Sequence, residues 1–191
     1  ERVRSAIPCG GGSGSYPPQR EQFIREAIER AAAFERAGKV PAEAMSHGPT
    51  RVQLLNKDPQ GWRIATDHFA SHPAAGSARV LPNIQAKRPS LYDLEAGIAA
   101  VKAPVLLIVG DEDEPCLDVN LWMKRRMPTA QLVVLPGTGH VLTAEEPALV
   151  NSLMERFLSS VDRGTWRPRD PRAAPTGMSA FGPTGEAGKG R

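Results

Sequence analysis

The sequence predicts an α/β fold in which short parallel strands are flanked by helices. Two apolar runs that are rich in β-branched residues carry this prediction, residues 104–109 and 131–135. Runs of this length and composition are typical of strands buried on both faces of a parallel sheet. Each run ends in a glycine-containing turn and then a polar side chain, Asp113 after the first and His140 after the second. These turns indicate the carboxyl edge of an open sheet, where α/β proteins gather their sites.

The first element along the chain is a strand-like run over residues 2–9, which Pro8 weakens because proline has no N–H to donate to a ladder. A flexible, glycine-rich turn follows. From residue 17 to residue 38 the apolar side chains recur every three or four positions, which predicts an amphipathic helix. Gly38 stands at its end, as a glycine just past a helix often does.

Residues 41–75 predict two or three further short helices, of which 50–56 and 60–69 are the clearest, with prolines between them. Ser90 is a suitable N-cap for another helix. After the two apolar runs, helices are predicted over 117–127 and from Thr143 onward.

Composition narrows the possible partners. The 191 residues are 40% hydrophobic, enough for one ordinary domain, and no apolar run approaches the roughly 18 residues that a membrane span needs. Six Lys/Arg against two acids give residues 163–191 a charge of +4, which leaves −1 for residues 1–162 of the total +3. The excess of basic residues therefore lies in the tail, residues 163–191, and we expect neither a nucleic-acid nor a membrane partner.

The two cysteines, Cys9 and Cys116, form no disulfide framework and no metal-ligand spacing. We therefore expect a reduced, cytoplasmic setting and no bound metal. Cys116 has no base near it in the sequence, which favours a structural thiol over a nucleophile.

Asp113 and His140 are the candidate catalytic residues. An acid followed later in the chain by a histidine supplies two members of a Ser-His-Asp relay, in the chain order Ser, Asp, His. The histidine would take the proton of the nucleophile and return it to the leaving group, and the acid would hold the imidazole tautomer. Asp111 and Glu112 lie in the same turn and are alternatives for the acid.

These residues together resemble the carboxyl-terminal half of an α/β-hydrolase. The resemblance covers roughly residues 1–162 and rests on three segments: residues 1–5, residues 104–113, and Gly139-His140 with Glu146-Pro147 before the terminal helix. In that family the first is similar to the strand that leads into a helical lid, the second to the strand and turn of the triad acid, and the third to the histidine loop. The family's acid occupies the fourth position of a Gly-x-x-Asp turn, which implies Asp113 here.

The resemblance also implies a nucleophile elbow, Gly-x-Ser-x-Gly, upstream of the matched residues. Ser13 misses this pattern by one residue, and Tyr16-Pro17-Pro18 delays the helix that an elbow must enter directly. We therefore expect the nucleophile to lie outside residues 1–191, a missing amino-terminal portion, and an inactive fragment. The absence of an initial Met agrees with this expectation.

The expected organisation has four parts. They are residues 1–16 as strand and turn of the core, 17–100 as a helical lid, 101–162 as the carboxyl-terminal core, and 163–191 as a disordered Pro/Gly/Arg-rich tail. Some apolar side chains of the lid are candidates to line a substrate pocket, although ordinary packing explains them equally well. These are Trp62, Phe69, Phe34, Met45 and Leu81.

The leading functional hypothesis is hydrolysis of a small, apolar, ester-like substrate by a Ser-His-Asp relay, without metal or organic cofactor. Dehalogenases and epoxide hydrolases share the fold and the Asp and His but use an Asp nucleophile, which nothing in residues 1–191 excludes. A non-catalytic binding module is the third possibility, because a half-sheet exposes a strand edge to partners. The substrate and the oligomeric state stay open.

Overall fold

The computed structural model describes residues 2–173 and confirms a partial α/β fold with a short parallel sheet. Strands β1 (Val105–Gly110) and β2 (Ala130–Leu135) pair in parallel, with Val105 opposite Ala130 and Gly110 opposite Leu135. Each begins or ends within one residue of its predicted bounds. On the other side of β1, residues 6–9 make two isolated parallel bridges, Ala6 to Val105 and Cys9 to Ile108. β1 is therefore the middle member of the described sheet.

Pro8 explains why residues 6–9 form bridges and not a full strand. The N–H of Ala6 donates to the carbonyl of Pro104, and the N–H of Gly10 donates to the carbonyl of Ile108. In this register the carbonyl of Leu106 would accept from the N–H of residue 8, but residue 8 is proline and has no N–H. The ladder is interrupted at that position, although Pro8 still accepts from the N–H of Ile108.

Helices account for most of the remaining described chain. The α-helices are α1 (Arg20–Ala37), α2 (Ala42–Ser46), α3 (Val52–Lys57), α4 (Pro59–Ala70), α5 (Ala74–Val80), α6 (Glu95–Ala99), α7 (Glu114–Arg126), α8 (Leu142–Glu145) and α9 (Pro147–Asp162). Short 3-10 turns lie at Pro17–Gln19, Leu91–Leu94 and Pro171–Ala173, and a π-helical turn lies at Leu81–Gln85. No helix in residues 2–173 is long and apolar enough to cross a membrane.

Local signals account for several helix ends. Gly38 adopts a left-handed conformation, φ 63°, and its N–H donates back to the carbonyls of Phe34 and Glu35. Ser90 forms a capping box with Asp93. Helix α7 begins three residues earlier than predicted, because Pro115 is suited to the first turn of a helix.

The two faces of β1 pack against different helices. Val105 and Leu107 contact a cluster that includes Val119 and Met123 of α7. Leu106 and Ile108 contact a second cluster on the opposite face, which includes Phe157 of α9. Because side chains alternate along a strand, a run that is apolar at every position must be covered on both sides.

The prediction that both apolar runs are buried on both faces is correct for β1 and wrong for β2. Every residue of β1 is buried, whereas Gln131 and Val134 of β2 are exposed, Val134 by 40%. β2 pairs with β1 along one edge and, within residues 2–173, with no strand along the other. The side chains of β2 are therefore covered less completely than those of β1.

The helices between residue 17 and residue 100, called here the helical segment, leave and rejoin the core at one place. Arg20 donates 2.9 Å to the carbonyl of Gly14 and also to the carbonyls of Ala86 and Arg88. The hydroxyl of Ser90 donates 2.6 Å to the carbonyl of Ser15. These bonds join the two ends of the helical segment, so that the chain leaves the sheet and returns to it at the same place.

The first part of the predicted tail is attached to the core. Trp166 packs edge-on against Phe157 with ring centroids 4.6 Å apart, and its indole N–H donates 2.9 Å to the carbonyl of Thr129. The N–H of Arg169 donates 2.8 Å to the carbonyl of Pro128. This contact of the partly buried Trp166 with the buried Phe157 outweighs the weak local propensity of the segment. Residues 174–191 of the predicted tail lie outside the described residues.

Candidate active site

Asp113 and His140 meet at the carboxyl edge of the sheet. The Nδ1 atom of His140 lies 2.8 Å from Oδ2 of Asp113, within hydrogen-bond distance. The Asp113 side chain is fully buried, while that of His140 is 35% exposed. A buried carboxylate is stable when a donor accompanies it, and the imidazole N–H is that donor. The second oxygen, Oδ1, has no hydrogen-bond partner among the described residues.

The turn after β1 directs Asp113 and not its neighbours toward the histidine. Asp111 accepts from the N–H of Thr138 at 3.1 Å through Oδ1, and Glu112 accepts from the side-chain amide of Gln53. Both alternatives for the acid are thus hydrogen-bonded elsewhere. Helix α7 begins directly after Asp113, which fixes that residue between the strand and the helix.

Glu145 holds the loop that carries His140. Its Oε2 accepts from the N–H of Gly139 at 2.7 Å, and its Oε1 accepts from the N–H of Val141 at 3.1 Å. The N–H of His140 itself donates 3.0 Å to the carbonyl of Thr50, in the helical segment. Three consecutive backbone donors are therefore satisfied, and the imidazole is presented from a fixed loop. The sequence analysis missed Glu145, whose only local signal is an acid five residues after a candidate histidine.

Gly10 is a second residue that the sequence analysis missed, since it was assigned to a flexible turn. Its backbone is left-handed, φ 59°, and it is buried against the pair. A Cβ atom at this position would stand 3.1 Å from Oδ2 of Asp113 and 3.2 Å from Nδ1 of His140. Glycine is required both by the conformation and by the space that the pair occupies.

Cys116 completes a group of three possible metal ligands. Ligand atoms of Asp113, Cys116 and His140 all lie within 4.8 Å of one another. Burial first, and then the charge of Asp113, raise the pKa of the Cys116 thiol far above its usual range. Because metals bind the thiolate, this environment opposes metal binding and keeps a protonated thiol, whose Sγ donates 3.2 Å to the carbonyl of Gly10.

A cavity of about 1110 Å³ opens over the pair, between the core and the helical segment. Asp113 and His140 line it from below. Four of the five apolar candidates from the sequence line it from the helical segment, namely Phe34, Met45, Phe69 and Leu81. Trp62 is instead buried beside a smaller cavity, where its indole N–H donates 2.9 Å to the carbonyl of Ser46. A cavity of this size can hold a small organic molecule.

Ser13 also lines this cavity, but its surroundings are those of a loop. Its carbonyl accepts from Arg88, and no hydrogen bond joins its hydroxyl to His140 in residues 2–173. The next helical turn begins only at Pro17. The backbone N–H groups of a helix start therefore do not follow Ser13 directly, as an elbow requires.

A parallel sheet that carries an acid–histidine pair at its carboxyl edge, under a cavity roofed by helices, defines the class of α/β hydrolases. The model of the alpha/beta hydrolase family matches residues 4–153, and the chain belongs to that family.

Among curated proteins, the chain is 30% identical over 74 residues to a protein of Bacillus subtilis (strain 168). That protein has the provisional name 2-succinyl-6-hydroxy-2,4-cyclohexadiene-1-carboxylate synthase. The match covers 39% of this chain and 26% of that protein. Among solved structures, MenH from S. aureus is similar with a TM-score of 0.73 and 17% identity, over 84% of this chain and 60% of that one. A malate-bound thermophilic esterase from Thermogutta terrifontis is similar with a TM-score of 0.67 and 25% identity, over 84% of this chain and 57% of that one. The chain thus spans less than two thirds of each of these proteins.

Proposed function

We propose that this chain supplies the acid and the histidine of a Ser-His-Asp relay that hydrolyses a small, ester-like substrate. The observation that carries the proposal is the 2.8 Å contact between Nδ1 of His140 and Oδ2 of Asp113, with the acid fully buried at the floor of the cavity. An imidazole held through Nδ1 has Nε2 available to accept a proton from a nucleophile.

The chemistry of the two groups follows from their positions. Asp113 keeps the proton of the neutral imidazole on Nδ1, so that Nε2 is the basic nitrogen. When Nε2 removes the proton of the attacking hydroxyl, the resulting imidazolium is stabilised by the adjacent carboxylate. Nε2 then returns that proton to the leaving alkoxide, which leaves the acyl group on the serine. A water deprotonated by Nε2 releases this acyl group as the acid, and the proton returns to the serine. Glu145 acts through the loop, as a positioning residue for His140.

In this proposal the nucleophile is a serine outside residues 1–191. The loop conformation at Ser13 supports this assignment, since no helix start follows it to supply backbone donors for an oxyanion. The apolar side chains of the cavity support a small substrate with an apolar portion, and the proposed relay requires no metal or organic cofactor. The free thiols of Cys9 and Cys116 support a reduced, cytoplasmic setting.

The first experiment is to read the coding DNA upstream of the Glu1 codon and to assay the encoded polypeptide with p-nitrophenyl acetate. We expect an in-frame Gly-x-Ser-x-Gly between a strand and a helix. We also expect His140→Ala and Asp113→Asn to lower kcat/KM by about 10³-fold or more, because members of a relay act as a unit. Ser13→Ala is the matched control, and its activity should be unchanged.

The other outcomes are equally informative. An Asp at the elbow position would replace this mechanism by that of a dehalogenase or an epoxide hydrolase. Full hydrolysis by His140→Ala would contradict the relay. Sustained hydrolysis by residues 1–191 alone, abolished by Ser13→Ala, would move the nucleophile into this chain. No turnover in the encoded polypeptide would favour a non-catalytic binding module.

A further inference from the structure

Arg51 is a cation in the wall of the cavity that has no counter-charge among residues 2–173. It precedes α3, is half-buried, and lines the same cavity as His140. Its guanidinium carbon lies 5.5 Å from the ring centroid of Phe69. Within residues 2–173 its side chain makes no hydrogen bond and no ion pair. None of its guanidinium nitrogens is among the buried atoms without a partner, so its donors are open to a ligand that enters the cavity.

Within the described residues, the other two half-buried arginines of the helical segment have protein partners. Arg20 donates to three backbone carbonyls, and Arg88 donates to the carbonyl of Ser13. The other arginines of the segment without a hydrogen bond or an ion pair are exposed, namely Arg30, Arg36 and Arg79. Arg51 is thus the one half-buried arginine of the segment that no described residue engages.

A second cation faces the same space. Arg30 of α1 lines the cavity, is exposed, and makes no ion pair with another described residue. Burial, and then repulsion from Arg30, lower the pKa of the Arg51 guanidinium. Two cations that repel each other across a cavity favour an anion between them.

The carboxylates that line the cavity do not fill this role. Asp113 is bonded to His140. Glu26 of α1 accepts from the side-chain amide of Gln22 at 2.8 Å and lies outside ion-pair distance of both arginines. Its charge reduces the positive potential without neutralising either guanidinium.

We propose that Arg51, assisted by Arg30, binds a carboxylate on the acyl part of the substrate, so that the substrates are esters whose acyl chain ends in a free carboxylate. The inference rests on the proposed function and specifies its substrate class. The planar guanidinium fork matches a carboxylate with two parallel hydrogen bonds. The carbonyl of Thr50, the residue before Arg51, accepts from the N–H of His140 at 3.0 Å. The anion subsite is therefore attached directly to the loop that carries the proposed base.

Binding can be measured without turnover. N-Ethylglutaramate carries an amide in place of an ester and a terminal carboxylate, and N-ethylpentanamide is its neutral analogue with a methyl group in place of that carboxylate. We expect isothermal titration calorimetry at pH 7 to show binding of the anion about tenfold tighter or more than binding of the neutral amide. The difference should shrink as NaCl is raised.

The variants assign the effect to particular residues. Arg51→Gln should remove most of the preference for the anion, and Arg51→Lys should keep part of it, because an ammonium supplies charge without the fork. Arg30→Gln should cause a smaller loss. Glu26→Gln should increase affinity for the anion, since it removes a repelling charge. Arg36→Gln, on the same helix as Arg30 but outside the cavity lining, is the matched control and should change nothing.

Equal affinity for both probes, a preference that survives Arg51→Gln, or no binding of either probe would each overturn the proposal. If Arg51→Gln does not fold, the two variants at exposed positions decide the question. Arg30→Gln should lower the affinity for the anion and Glu26→Gln should raise it. The relay fails separately, when His140→Ala leaves hydrolysis of the neutral ester p-nitrophenyl acetate unchanged.

Discussion

The core segment, residues 101–162, and the helical segment are packed in different ways. In β1 every side chain is buried, and Leu107, Ile108 and Val109 are fully inaccessible. Of the 23 buried hydrophobic residues of the described chain, fourteen lie in the core segment and nine in the longer helical segment. Close packing in the core fixes atoms to fractions of an ångström, as a hydrogen-bonded relay requires. The helices of the helical segment define the shape and charge of a cavity.

The difference between the two segments predicts which substitutions the protein tolerates. The core supplies Asp113, His140 and Glu145, each through a short, directed hydrogen bond. The helical segment contributes the carbonyl of Thr50, side-chain hydrogen bonds from Gln53 and Lys57 to the two loops, and the side chains that line the cavity. We expect changes in the core to alter folding or the geometry of the pair, and changes in the helical segment to alter ligand preference.

The largest effect is expected at the end of β1. A Cβ atom on Gly110 would overlap the carbonyl oxygen of Thr138, so that the two loops of the site could not pack together. Gly110→Ala should lower the free energy of unfolding by about 3 kcal/mol or more in urea melts. Gly97→Ala in α6, where nothing lies within 4 Å, is the control and should raise it by about 0.5–1 kcal/mol. Equal stability of the two variants would contradict the packing difference.

A smaller but more local effect is expected at Gly10. Alanine there would be strained by its left-handed backbone, by about 1–2 kcal/mol, and would press on Asp113 and His140. We expect Gly10→Ala to shift or abolish the downfield proton resonance of the His140 Nδ1–H in NMR spectra. Gly11→Ala, whose Cβ would meet Pro8 at an ordinary 3.6 Å, should leave that resonance in place. An unchanged resonance in Gly10→Ala would contradict this expectation, because the hydrogen bond between Asp113 and His140 would then persist beside the added methyl group.

Alkaline pH should destabilise the core through Cys116. Burial raises the pKa of this thiol in the folded chain, whereas an unfolded thiol ionises near its ordinary pKa of about 8.5. The folded state then holds a proton that the unfolded state has lost. The ionisation of Cys116 should therefore leave the free energy of unfolding unchanged below pH 8. Above pH 8 it should lower that free energy by up to about 1.4 kcal/mol per pH unit.

Urea melts between pH 7 and pH 9.5 test this dependence. Cys116→Ala should lower stability at pH 7 through the cavity that it leaves, and should flatten the alkaline decline. Cys9→Ala is the control, since Cys9 is only half-buried and should account for less of the decline. A slope that is identical in Cys116→Ala would contradict the assignment.

The smallest effect is expected where the two segments are joined by charge. Lys57 of α3 lies 2.6 Å from Glu146, with the side chains 27% and 35% exposed. A double-mutant cycle of Lys57→Met and Glu146→Gln should give a coupling energy below about 1 kcal/mol, reduced further in 1 M NaCl. The Arg63–Glu43 pair within the helical segment is the comparison. A coupling of several kcal/mol would mean that the segments form one rigid unit.

Much of the core could be predicted from sequence because its signals are local. A short apolar run rich in β-branched residues predicts a covered strand over residues 104–109, and β1 has nearly those bounds. The Gly-x-x-Asp turn and the glycines before His140 indicated two polar residues at one sheet edge, and the structure brings these side chains into contact. The exposure of β2 could not be read from its composition, because it depends on which strand lies beside it.

The α/β class, the two parallel strands and the two candidate residues that end their turns follow from local sequence patterns, since periodicity and turn chemistry act over a few neighbouring positions. The position of Gly10 beneath the pair, and the bond that Cys116 donates to its carbonyl from 106 residues further along, follow from the packing of distant elements. The same is true of the bonds from the histidine loop to Glu145, and of Arg51, which faces the cavity without a counter-charge among the described residues. Such contacts depend on how separate elements pack, and packing leaves no pattern within any single segment.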